Sequence, residues 1–163
     1  MKKILAGICG MAAAISAANA GDEGFKPEIF KWGVKTAELE IALEGKCAGG
    51  FEIRPIDPPF LPNKPEKQLQ IDCDGFDFLG APRWTEFVIG DDRLQMVWVM
   101  VDDSDKAKAI EALKDAYGEP SHETPMFVAF TQGRAAWREE PAEILFYSEE
   151  LDAPMKGWFD SAQ

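Results

Sequence analysis

The spacing of apolar residues changes several times along this chain, and each change predicts a new element. Residues 36–46 carry leucines and alanines at helical spacing behind acidic residues, which predicts a short helix with Thr36 as its N-cap. From Gln68 to Cys73 apolar and polar residues alternate, which predicts a half-buried strand. Residues 84–89 and 94–101 flank a Gly-Asp-Asp turn and predict a hairpin, whose second strand is apolar enough to be covered on both faces.

The second half of the chain has the same order, a helix and then strands. A helix is predicted over residues 102–117, opening on acidic residues and ending at Gly118 with Pro120 shortly after. Three short runs typical of strands follow, at residues 126–131, 135–138 and 143–148. Trp158 and Phe159 near the C-terminus predict that the tail docks on the domain.

These elements predict an α+β fold with two short helices packed on an antiparallel sheet of about 5–6 strands, because the connections are too short for parallel crossovers. A two-fold internal repeat is also expected. Gly33-Val34-Lys35-Thr36 would open its first half and Asp102-Asp103-Ser104 its second.

The N-terminus predicts export from the cytoplasm. Two lysines, an uncharged run and Ala18-Asn19-Ala20 are the three parts of a cleavable signal peptide over residues 1–20. Residues 21–163 are then expected to form a single domain, periplasmic or secreted, without a membrane span.

Cys47 and Cys73 remain after cleavage, and an even pair in an oxidising compartment favours a disulfide. Between them, residues 54–65 hold five prolines and predict an extended loop. Phe60 and Leu61 in this loop are either anchors packed on the core, which we favour, or the tip of a recognition loop.

Charge and chemistry narrow the function. The formal net charge is −12, and loss of Lys2 and Lys3 with the signal would make it −14, which disfavours nucleic acid and favours a basic protein partner. The one histidine, His122, has loop neighbours and is expected to be solvated, so no catalytic residue is predicted. The acidic runs lack EF-hand spacing, and neither a metal nor a cofactor is expected.

Aromatic residues beside arginines are the strongest candidates for an interface, because interfaces favour tryptophan, tyrosine and arginine. The candidate interface residues are Arg83, Trp84, Trp137, Arg138, Trp158 and Phe159.

Two stretches, Gly33-Val34-Lys35-Thr36 before a helix and Tyr117-Gly118-Glu119-Pro120 after one, resemble small exported modules of the β-lactamase-inhibitor protein and SmpA type. The resemblance implies helices stacked on an antiparallel sheet and a function in binding proteins. We therefore expect a non-enzymatic protein-binding or envelope-accessory module. The alternative is a carrier of a small apolar ligand between helices and sheet, and an enzyme is the third class considered.

Overall fold

A computed structural model describes residues 25–162 of the chain. Its three α-helices are α1 (Thr36–Leu43), α2 (Lys106–Tyr117) and α3 (Asp152–Ser161). Its eight strands are β1 (Cys47–Ile56), β2 (Gln68–Phe78), β3 (Ala81–Gly90), β4 (Arg93–Met100), β5 (His122–Glu123), β6 (Phe127–Phe130), β7 (Ala135–Arg138) and β8 (Glu143–Tyr147). The predicted signal peptide lies outside the described residues.

All eight strands form one antiparallel sheet in the order β1-β2-β3-β4-β8-β7-β6-β5. A helix precedes each group of four strands, and the two groups meet where β4 pairs with β8. The α+β class is thus confirmed, but the sheet has more strands than the predicted 5–6, and α3 is a third helix. The predicted two-fold repeat stays a prediction.

The first face of the sheet carries the main core. Phe30 is fully buried there, and its ring lies 5.5 to 5.6 Å from the rings of Phe76, Phe87 and Phe146. Helix α1 contributes Leu39 and Leu43, and helix α2 contributes Ala109, Leu113 and Tyr117. Clustered aromatic rings of this size supply a large apolar area, which stabilises the packing of helices on sheet.

The second face of the sheet is covered over only part of its area. Helix α3 places Met155 and Phe159 over β6 and β8, and the proline-rich loop places Leu61 over Val88 of β3. These residues form a separate buried cluster. Among the described helices, α1 and α2 pack on the first face and α3 alone packs on the second, so part of the second face has no helix over it.

Several local predictions need correction. Pro55 lies within β1, so the proline-rich loop begins after Ile56; proline is tolerated because β1 is the edge of the sheet. Thr36 is the first residue of α1 and not its N-cap; its N–H instead donates to Asp92 Oδ1 at 3.2 Å. Helix α1 also ends at Leu43, three residues earlier than expected.

The Cys47–Cys73 disulfide is confirmed. The bond joins the start of β1 to the middle of β2, with the two Cα atoms 5.3 Å apart and both side chains buried. Separately, none of the helices within residues 25–162 is long and apolar enough to cross a membrane.

Candidate functional site

The uncovered part of the second sheet face brings aromatic and charged side chains together on neighbouring strands. We call this surface the open face and define it by Glu52, Arg54, Asp72, Trp84, Glu86, Trp98, Met100 and Arg138. Side chains alternate between the two faces of a strand, so the residues between these point into the main core.

Two tryptophans define the aromatic part of the open face. Trp84 is 44% exposed, and its Nε1 atom donates to Glu86 Oε1 at 3.4 Å. Glu86 lies directly opposite Trp98 of the next strand, so that the carboxylate stands between the two tryptophans. An exposed indole beside a carboxylate suits a cationic side chain, which can contact the ring and pair with the acid.

A row of carboxylates crosses the open face in register. Glu52, Asp72 and Glu86 are directly opposite one another on β1, β2 and β3. Asp72 is held by Arg54, whose Nε atom lies 2.6 Å from Asp72 Oδ2, and by the Gln70 amide at 2.6 Å. The hydrogen bond with Asp72 raises the pKa of Arg54 further, so this guanidinium stays charged.

Glu143 is a buried carboxyl group beneath the open face. Its Oε1 atom contacts the Arg138 guanidinium, which lies 4.7 Å above the centre of the Trp98 ring. Burial raises the pKa of Glu143 to about 7, Arg138 opposes that rise, and Glu86 adds to it. The protonation of this group therefore changes near neutral pH.

A cleft of about 460 Å³ lies at the end of the open face next to Arg138. Its apolar walls include Met126, which is 53% exposed, and Trp158, which is 39% exposed and stacks against Phe127 with ring centres 5.3 Å apart. Glu139 and Glu140 line its rim. Hydrogen bonds from Lys106 and Trp137 lower the pKa of Glu139, so this carboxylate is ionised and pairs with Lys106 at 2.7 Å.

The six candidate interface residues separate into two groups. Trp84, Arg138 and Trp158 lie on the open face or in its cleft. Trp137 and Phe159 are fully buried in the two cores, and Trp137 donates its indole N–H to Glu139 at 3.0 Å. Arg83 is buried on the first face, where it pairs with Asp102 and Asp105 at the start of the second helical segment.

Trp98 and Glu86 also belong to the open face and Met126 to its cleft, although none of the three was predicted from the sequence. Trp98 lies in a run whose apolar character predicted cover on both faces, and it is half-buried. Glu86 could have been predicted from the alternation of side chains along β3, because a residue two positions from Trp84 lies on the same face of the strand.

The proline-rich loop combines an anchor with an exposed ring. Leu61 is 1% exposed and packs on the second face, whereas Phe60 is 54% exposed beside it. The Gln68 side chain accepts hydrogen bonds from both backbone N–H groups at 2.9 Å and fixes this part of the loop. The favoured interpretation as anchors therefore fits Leu61 and not Phe60.

His122 is buried, contrary to the expected solvated loop position. It belongs to β5, and its two ring nitrogens lie 2.9 Å from Ser121 Oγ and 2.8 Å from Asp160 Oδ1. Ser121 Oγ also contacts the Ala129 carbonyl oxygen at 3.1 Å, an acceptor for its proton. These contacts tie β5 to α3, since Asp160 belongs to that helix.

Within the described residues, no group of three or more histidine, cysteine, aspartate or glutamate side chains is arranged to hold a metal ion. No family model, curated protein or solved structure matches this chain.

Proposed function

We propose that this chain is an exported, non-enzymatic module of the cell envelope that binds a basic protein through the open face and its cleft. The observation that carries the proposal is that exposed Trp158 and Met126 line the cleft beside Arg138, and that exposed Trp84 lies on the same face of the sheet. Exposed aromatic residues beside an arginine are the usual composition of protein-binding hot spots.

The charge of the open face supports a basic partner. Carboxyl groups outnumber guanidinium groups there, and Glu52, Asp72 and Glu86 stand in one row. The whole chain is acidic as well, which accelerates encounter with a cationic partner at low ionic strength. The predicted signal peptide supports a periplasmic or secreted location for this encounter.

The resemblance to modules of the β-lactamase-inhibitor protein and SmpA type is part of this proposal, and it implies helices stacked on an antiparallel sheet. Each half of the chain has a helix followed by four strands, and the halves join through β4 and β8. We propose on this basis that the two halves form the two-fold repeat expected from the sequence.

The alternative, a carrier of a small apolar ligand, has less support. The rings of Phe30, Phe76, Phe87 and Phe146 occupy the space between helices and sheet that such a ligand would need. A groove of about 700 Å³ does lie at the end of α1, but Glu28, Lys46 and Asp77 are among its lining residues.

The test is capture of a partner from periplasmic extract at low salt, with variants of the open face. The proposal expects a basic protein that the unaltered chain captures, that moderate salt releases, and that Trp84→Ala or Trp158→Ala loses. Ile41→Ala is the matched control, because Ile41 is 69% exposed on α1, on the other side of the sheet. The proposal would be overturned if the unaltered chain captured no basic protein, or if the Trp84→Ala and Trp158→Ala variants captured it as well as the unaltered chain does.

A further inference from the structure

Strand β1 presents a long unpaired edge. It has ten residues and, among residues 25–162, pairs with β2 alone, whereas β5 at the opposite edge has two residues. An edge strand exposes a row of unpaired N–H and C=O groups, which is a template for pairing with another chain. What pairs with this edge depends on the side chains that flank it.

The side chains of β1 alternate in chemistry between the two faces. Phe51 and Ile53 are half-buried against the main core, and Glu52 and Arg54 are exposed on the other face. Glu52 lies directly opposite Asp72, a like charge, and like charges in that position destabilise a sheet. Arg54 pairs with Asp72, and Glu52 has no ion pair with any residue of the described range.

A second copy of β1 can add to this edge in an antiparallel register. The two faces of the sheet stay continuous only if residues of the same face stand opposite each other. A register centred on Glu52 opposes two glutamates, and one centred on Arg54 opposes two arginines. A register centred on Ile53 instead places Glu52 of each copy directly opposite Arg54 of the other copy, which makes two pairs of opposite charge.

We propose that the chain forms a homodimer by antiparallel pairing of β1 with β1 of a second copy, centred on Ile53. The pairing places Arg54 of the other copy directly opposite each Glu52, which within one copy has only the weaker Coulombic attraction of its own Arg54 and no ion pair. It also places Phe51 of one copy beside Pro55 of the other. The proposal does not depend on the proposed function, although pairing would join the open faces of the two copies into one surface.

The backbone of β1 fits this register. Proline in a strand lies where its nitrogen faces away from the neighbouring strand, so Pro55 indicates that Phe51, Ile53 and Pro55 direct their backbone groups outward. The two Ile53 residues would then exchange a pair of N–H···O=C hydrogen bonds. Each Phe51 N–H would donate to the Pro55 carbonyl oxygen of the other copy.

Reversing the charge of Glu52 or Arg54 tests the register. Dimerisation of the full chain is measured by sedimentation equilibrium from micromolar to near-millimolar concentration. Glu52→Arg and Arg54→Glu should each weaken dimerisation by about tenfold or more, because two attractive pairs become repulsive. The double variant Glu52→Arg/Arg54→Glu should restore it. Glu111→Arg, an equal change of charge on α2, should leave it unaltered, and circular dichroism checks that each variant is folded.

Cross-linking gives a second measurement that does not require Arg54 to be changed. Ile53→Cys should form an intermolecular disulfide, because two residues opposite each other on the dimer axis have Cα atoms about 5.5 Å apart. Phe51→Cys, displaced from the axis, should not. A chain that is monomeric at every concentration, a dimer that Glu52→Arg does not weaken, or equal cross-linking by both cysteine variants would overturn the proposal.

Discussion

The buried carboxyl group of Glu143 should make the stability of this protein fall as pH rises toward neutrality. Glu143 is 1% exposed, and burial raises its pKa from 4.5 to about 7. A carboxyl group whose pKa is higher in the folded state binds its proton more tightly there. Its contribution to stability is complete below about pH 4.5, declines between pH 4.5 and 7, and is lost above pH 7.

The perturbation that isolates this effect is Glu143→Gln, which has nearly the shape of the protonated carboxyl group and does not titrate. A pKa difference of this size corresponds to about 3 kcal/mol of unfolding free energy. The variant should therefore gain about 3 kcal/mol relative to the unaltered protein between about pH 4.5 and pH 8. The nearby charges of Arg138 and Glu86 are unchanged in both proteins.

Urea unfolding followed by tryptophan fluorescence across this pH range measures the difference. Glu111→Gln, an exposed carboxylate on α2, is the matched control and should show a difference that does not change with pH. A constant difference between Glu143→Gln and the unaltered protein would refute the assignment of a raised pKa to Glu143.

Three further changes test the packing. The double variant Cys47→Ser/Cys73→Ser should lose about 3–4 kcal/mol of unfolding free energy, because the disulfide closes a loop with a sequence separation of 26. Reduction of the disulfide in the unaltered protein should lower the urea midpoint by the same amount as the double variant does. Phe30→Ala should cost about 3–5 kcal/mol by chemical denaturation, because the ring is fully buried among three others; a loss below about 1 kcal/mol would contradict that packing. Trp84→Ala should change the melting temperature little, because the indole is exposed, and a large fall would show that it supports the sheet.

Some of the fold follows from local pattern. The alternation at Gln68–Cys73, the hairpin around Gly90 and the helix ending at Gly118 were predicted where the structure has β2, β3, β4 and α2. Helix α3 was missed, because Pro154 and Gly157 disfavour helix, yet Pro154 lies in the first turn, where no N–H is required.

The candidate site was predicted only in part, because residues adjacent in the sequence lie on opposite faces of the sheet. Trp137 and Arg138 are neighbours, and one is in the main core while the other is on the open face. Alternation separates the two, but it does not tell which face is covered. Phe159 and Trp158 differ in exposure for a similar reason, since Phe159 packs against Phe127 of the sheet and Trp158 lines the cleft at the edge of α3.

The sequence by itself determined the α+β class, the period of most elements and the disulfide, because periodicity and a single pair of cysteines outside the predicted signal peptide are local or compositional properties. Only the tertiary structure decided which aromatic residues are exposed and that Glu143 is buried beside Arg138. The physical reason is that α3 and Leu61 cover only part of the second sheet face. The extent of that cover depends on contacts between segments far apart in the chain, which no local pattern encodes.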